Sequence, residues 1–211
     1  MKLPVDAAML AVDVQKGFIT ESRELPVSRG REVIPIINRL LPRFRVRVAS
    51  QDWHPRNHGS FAGNNPGRKP FEVGELDGVP QVFWPDHCVQ GSRGAEFHPE
   101  FDQLAIQAIF RKGSDPRVDS YSVFCDNAGR NPSGLHGYLA SLGVRHLYLA
   151  GLALDYCVKF TALDALRLMP GLSVTVILDA TRPVDPATGD LAVAEMREAG
   201  VRLIGSSELG D

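Results

Sequence analysis

Separate points of this chain carry a carboxylate at Asp13, a carboxylate and imidazole at Asp52 and His54, an ammonium at Lys112 and a thiol at Cys157. A cysteine attacks as its thiolate, so it needs a base and a nearby positive charge. Asp13 can take the thiol proton, while Lys112 can keep that carboxylate ionised and favour the thiolate. Cys157, in GLALDYCVKFTALDA, falls where a loop turns into a helix. Unpaired N–H groups at a helix start are expected to lower its pKa. Cys88 and Cys125 have no obvious base and read as packed thiols, the common fate of a free cysteine.

Asp52 and His54 lie two residues apart, so on extended backbone they face the same way. Both side chains suit zinc, iron or manganese. D-x-H is a weak signal alone, and His87 in WPDHC supplies a third ligand if the intervening chain returns it to the pair. Three protein ligands with open positions describe a catalytic site better than a closed structural one. His58 reads as a fourth ligand, a supporting group or an ordinary loop histidine. His98, His136 and His146 are expected on helix surfaces or strand edges, and Asp86 in the turn around Pro85. Phe18, Trp53, Trp84 and Tyr121 lie near these groups in sequence and suit the walls of a pocket for a small flat ligand.

Elements must bring these residues together. Apolar runs at residues 8–14, 45–50, 105–110, 146–150, 173–178 and 201–204 do not alternate, the pattern of strands covered on both faces. Between them lie helical stripes. They comprise Ile36, Ile37, Leu40 and Leu41; Leu135, Tyr138, Leu139 and Leu142, stopped by Gly143; Val158, Ala162, Ala165 and Leu166; and Leu191, Ala194 and Met196. Strand and helix in alternation mean an open α/β sheet with right-handed crossovers. Asp13, the pair Asp52 and His54, Lys112 and Cys157 close or follow four of these strands, and in such sheets the ligand crevice lies at the strands' carboxyl ends. Residues 55–81 break the rhythm: rich in Gly, Pro and Asn, they read as a long functional loop.

Composition bounds the setting. At 211 residues the chain fits one domain, 1–211, that needs no disulfide staples. It is 44% hydrophobic with a net charge of −2, which argues against disorder and gives no reason to expect nucleic acid. Neither a membrane-spanning run nor a signal sequence is apparent, so a cytoplasmic location is expected. Three cysteines cannot all pair within one chain, in keeping with a reducing compartment.

Taken in order, AVDVQKGF, SQDWHPRNHGSFA, FWPDHCVQGS, FRKGSDPRVDSYSVFCDN and GLALDYCVKFTALDA resemble the motifs of the nicotinamidase branch of the isochorismatase-like cysteine hydrolases. The resemblance runs from about residue 7 to residue 205. It implies a six-stranded, mostly parallel sheet with helices on both faces, a Rossmann-like three-layer αβα arrangement. It implies a catalytic triad of Asp13, Lys112 and Cys157, and one divalent transition metal on Asp52, His54 and His87, zinc first, with iron and manganese as alternatives. Backbone N–H groups of Ala153 and Cys157 would form the oxyanion hole beside a cis peptide at 152–153, and Phe18, Trp84 and Tyr121 would wall the substrate ring. The implied reaction is deamidation of nicotinamide, and of pyrazinamide, through a cysteine thioester in NAD salvage. A homo-oligomer is left open. Leu154 departs from the family's usual threonine and puts the loop's hydrogen bonding in question.

Two other readings compete. An amidohydrolase for ureido substrates is disfavoured by the metal-type residues, and isochorismatase by the nucleophilic cysteine. A metal-binding or redox-sensing protein without turnover would keep Cys157 only as a reactive thiol.

Overall fold

The computed structural model describes residues 3–19, 22 and 24–210. Its main sheet joins β1 (Ala7–Val12), β2 (Val46–Asp52), β5 (Ala108–Lys112), β6 (His146–Leu152), β7 (Ser173–Arg182) and β8 (Arg202–Ile204). Their order is β5-β2-β1-β6-β7-β8, and every neighbouring pair is parallel. The chain moves outward one way from β1 through β2 to β5, then restarts at β6 on its other side. That reversal opens a crevice at the carboxyl ends of β1 and β6.

Both faces of β1 are buried, which is why its sequence shows no alternation. Ala7, Met9 and Ala11 pack in one apolar cluster with α1 (Val33–Leu40), through Val33, Ile34, Ile37 and Leu40. Ala8, Leu10 and Val12 pack in the other with α2 (Leu135–Ser141) and α3 (Lys159–Leu168), through Leu135, Leu139, Ala162 and Ala165. The helix α4 (Pro186–Glu198) joins this second face through Met196.

Several expectations need correction. The strand expected over 8–14 ends at Val12, because Asp13 takes a positive φ of 47° that extended backbone does not allow. The strand expected over 105–110 begins at Ala108, after a 3₁₀ turn at Gln103–Ala105. Both β6 and β7 run further than expected, to Leu152 and Arg182. In α4 the buried stripe is Gly189, Ala192 and Met196, while Leu191 is 62% exposed and Ala194 is also exposed. Small residues at helical spacing let α4 lie close to its neighbours, a signal that hydrophobicity alone does not carry. Leu142 follows the end of α2 and is exposed.

Residues 55–81 contain a hairpin of β3 (Val73–Leu76) and β4 (Val79–Val82), not only loop. Asp77 and Gly78 join the strands with φ of 51° and 76°, the two-residue turn that Asp-Gly favours. Two exposed positions in β3 blur the usual apolar alternation.

Candidate active site

Strand ends place the nucleophilic cluster. Asp13 follows β1, Lys112 closes β5, and Cys157 lies in the π-helical turn Leu154–Val158 between β6 and α3. All three are buried. Lys112 Nζ lies 3.1 Å from Asp13 Oδ2, 2.9 Å from Asp52 Oδ1, 3.0 Å from the Ser120 carbonyl and 3.4 Å from Cys157 Sγ. One ammonium thus touches the proposed base, the proposed nucleophile and a carboxylate of the imidazole cluster. Burial opposes its charge, yet Asp13 and Asp52 push its pKa well above the ordinary lysine value. Ser50 completes the surroundings of Asp13: its hydroxyl donates to Asp13 Oδ1 at 2.7 Å and accepts the Asp13 N–H at 3.2 Å.

The thiol differs from the sequence expectation. Burial pushes Cys157 well above the ordinary thiol value, and Lys112 opposes this only in part. The expected lowering by a helix start fails because the sulfur is desolvated and faces two carboxylates. Burial also lifts Asp13, against the pull of Lys112. Burial thus pushes both groups towards holding a proton while Lys112 pulls both the other way.

Asp52, His54 and His87 converge at the same end of the sheet. Asp52 Oδ2 lies 2.9 Å from His54 Nε2 and 3.3 Å from His87 Nε2, and the three donor atoms fall within 4.8 Å of one another. Backbone carbonyls hold the other ring nitrogens: His54 Nδ1 meets the Gly113 carbonyl at 3.0 Å, and His87 Nδ1 meets that of Pro85 at 2.8 Å. Each Nδ1–H donates to its carbonyl, which turns each Nε2 towards Asp52. Burial would raise Asp52, but His54 and Lys112 hold it well below the usual carboxylate range. Two imidazoles and a carboxylate on one point fit a divalent transition metal. The buried Nε2 of His58, without a hydrogen-bond partner and in a ligand-like group with His54 and Asp119, fits the same use. Burial lowers His58 to about 4, which keeps its imidazole neutral.

The match to known proteins follows this geometry. Residues 7–208 match the isochorismatase domain family. The chain belongs to that family. It is 48% identical to the nicotinamidase of Escherichia coli over 93% of each chain. It superposes on an Acinetobacter baumanii nicotinamidase/pyrazinamidase structure with a TM-score of 0.93, 43% identity and coverage of 98% of this chain and 99% of that one. A Pyrococcus horikoshii pyrazinamidase in complex with zinc superposes with a TM-score of 0.77 at 32% identity, covering 95% of this chain and 99% of the other.

In this isochorismatase-family chain the two clusters share one cleft. Phe18, Trp84 and Tyr121 line it, and so do Ala153 and Cys157. The Leu152–Ala153 peptide is cis. Trp53 instead packs under the Arg111 guanidinium, 3.8 Å from its ring centre, and does not line the cleft. Sequence reading missed Tyr156, whose ring meets Trp84 edge-on at 4.8 Å, and Leu25, Val184 and Asp119 in the same walls. It also missed Phe61, whose ring packs edge-on against those of His54 and His87. The motif DSYS held a usable signal for Asp119, and Tyr156 directly precedes the thiol. Leu25, Phe61 and Val184 carried none, since their types mark ordinary packing. His98, expected on a surface or edge, is buried, and its Nδ1 accepts the Glu100 N–H at 3.2 Å. Cys88 and Cys125 are buried free thiols, as expected.

Leu154 packs in the apolar cluster with α3. Hydrogen bonding at this turn is carried by its neighbour Asp155, which accepts from the N–H groups of Val184 and Asp185 and from Thr188 Oγ1. Within the described residues no helix is long and apolar enough to cross a membrane.

Proposed function

We propose that this chain hydrolyses nicotinamide to nicotinate and ammonia, as a step of NAD salvage, and deamidates pyrazinamide by the same route. The observation that carries the reading is Lys112: one buried ammonium contacts Asp13, Cys157 and Asp52, joining a nucleophile–base pair to a metal-type cluster in one cleft.

In this mechanism Asp13 takes the Cys157 proton and the thiolate attacks the carboxamide carbon, forming a C–S bond. The oxygen of the tetrahedral adduct takes hydrogen bonds from the backbone N–H groups of Ala153 and Cys157, the kind of contact whose loss costs about 10²–10³ in rate. Collapse breaks the C–N bond as Asp13 returns its proton to nitrogen, and ammonia leaves. Asp13 then takes a proton from water, which attacks the thioester; the C–S bond breaks, Asp13 returns that proton to Cys157, and the acid gives its remaining proton to solvent as the carboxylate product departs. Lys112 stays protonated and offsets the negative charge of whichever partner is ionised. Phe18, Trp84 and Tyr121 hold the flat ring between them. Asp52, His54 and His87 would hold the metal, with His58 beside them. When bound there, zinc, with iron and manganese as alternatives, supplies a Lewis-acid contact for the ring nitrogen. The zinc complex of the Pyrococcus horikoshii relative supports that choice.

The chain acts as a single hydrolase domain across 1–211, and three free buried thiols support a reducing, cytoplasmic setting. The deciding experiment measures ammonia release from nicotinamide, pyrazinamide and a ureido amide in parallel, with wild type and Cys157→Ala. Release from the two ring amides, lost in the variant with metal content unchanged, is the expected result. Undiminished turnover by the variant, or preference for the ureido amide, overturns the reading.

A further inference from the structure

We infer that Glu24 is a positioning residue that sets the backbone carrying His87, and with it the affinity of the metal site. The inference rests on the proposed reading of His87 as a metal ligand, and deepens it.

His87 reaches the site from a loop, not a strand, so something must hold that loop in place. The next residue, Cys88, has a φ of 46°, a left-handed conformation disfavoured for a side chain of its kind. Two hydrogen bonds hold its peptide groups. The Cys88 carbonyl accepts the His54 N–H at 3.2 Å, which ties the loop to the other proposed imidazole ligand. The Cys88 N–H, the amide that immediately follows His87, donates to Glu24 Oε2 at 2.9 Å across 64 residues of sequence.

The carboxylate reaches that amide through a slot cut to its size. A Cβ on Gly94 would stand 1.9 Å from Glu24 Oε2 and 2.1 Å from Oε1. One on Gly17 would stand 2.8 Å from the same Oε2 and 2.8 Å from Cys88 Sγ. Two glycines therefore leave the space that the carboxylate fills. Its own segment is anchored as well: the Leu25 N–H donates to the Gly17 carbonyl at 3.1 Å, and the Gly17 N–H donates to the Gly94 carbonyl at 2.9 Å. Leu25 and Phe18 of this segment line the cleft, and the Phe18 ring lies 5.5 Å from that of His87. Glu24 thus couples a wall of the substrate cleft to the loop that supplies His87. Without its carboxylate the Cys88 N–H loses its acceptor, and the left-handed residue loses one of the two hydrogen bonds of its peptide groups.

The test compares Glu24→Gln, Glu24→Asp and Glu24→Ala with wild type. Zinc affinity is read by competition with a chromophoric chelator, and the cobalt-substituted protein is followed by its visible absorption. Gln keeps an acceptor at the same reach, Asp withdraws it by one methylene, and Ala removes it. Zinc affinity is expected to follow Glu ≈ Gln > Asp > Ala, with Ala weakened about tenfold or more, the range typical of supports behind metal ligands. At saturating zinc, Glu24→Ala should recover kcat to within about twofold while KM stays raised, because the cleft wall is loosened. Thermal unfolding of the metal-free proteins separates these effects from general destabilisation. If Glu24→Ala does not fold, the contrast between Gln and Asp decides the matter. Equal zinc affinity across the folded variants overturns the inference. His87→Ala is the separate control: if it binds zinc like wild type, the metal-ligand reading fails, whatever Glu24 does.

Discussion

At the scale of single residues, Lys112 carries more than one partner's interest. Its ammonium lies between two buried carboxylates, Asp13 and Asp52, and both would face each other unscreened without it. Breaking a buried charge cluster by removing one partner costs about 3–5 kcal/mol. Lys112→Met is therefore expected to lose about 3 kcal/mol in urea unfolding of the metal-free protein at neutral pH, as well as its amidase activity. A variant as stable as wild type would mean that the carboxylates are relieved in another way. Leu154 makes the opposite case. Its side chain fills the apolar cluster against α3, while Asp155 makes the turn's hydrogen bonds. Leu154→Thr, which restores the family's usual residue, should lower stability by about 2 kcal/mol and leave kcat/KM within about threefold. A large gain in activity would show that the missing hydroxyl matters to the oxyanion loop.

The elements act through their ends. Both β2 and β5 finish side by side, with Asp52 paired to Lys112 in register. Directly after β5, Gly113 turns the chain with a φ of 69° and presents its carbonyl to His54 Nδ1. A Cβ there would stand 2.4 Å from His54 Cε1 and 3.2 Å from Asp52 Oδ1, so strain and collision would fall on the same residue. Gly113→Ala should lower metal affinity at least about tenfold, read by metal content after dialysis, with far-ultraviolet circular dichroism unchanged. Full metal retention would show that the His54 ring can shift without cost. The hairpin of β3 and β4 acts by a similar route: Gln81, buried on β4, donates to Asp119 Oδ2 at 3.0 Å and to the Tyr121 hydroxyl at 3.1 Å. A segment read as loop is in fact a support for the cleft.

Across the whole molecule, the site ties together regions far apart in the chain. Asp13, Asp52, His87, Lys112 and Cys157 come from five segments, and metal binding would bridge those of Asp52 and His87. A ligand that binds only the folded state stabilises it by RT ln(1 + [L]/Kd), about 2.7 kcal/mol at a hundredfold excess over Kd. Stripping the protein with a chelator should therefore lower its Tm by several degrees, and added zinc should restore it. An unchanged Tm would indicate that the metal, if bound, is bound elsewhere or equally well by the unfolded chain.

The amino-acid sequence alone made the architecture and the candidate chemical groups legible, because both depend on local order. Runs such as AMLAV can be buried on both faces only as inner strands of a covered sheet; Asp13 and Cys157 follow such strands within a few residues, while Lys112 closes the edge strand β5, which is buried on one side only. It also marked Asp52 and His54, whose spacing of two needs only extended backbone. Tertiary structure decided the rest. Residues from separate segments form the cleft walls, so Leu25, Phe61 and Val184 had no signature beyond their hydrophobicity. Desolvation decided the protonation of Cys157: position at a helix start suggested a lowered pKa, and burial beside two carboxylates raised it. The same holds for Glu24, an unremarked acid in its own segment, which meets the loop of His87 only because Gly17 and Gly94 leave a carboxylate-sized gap. Hydrophobic pattern is written along the chain, whereas dielectric environment and shape exist only after distant segments have packed.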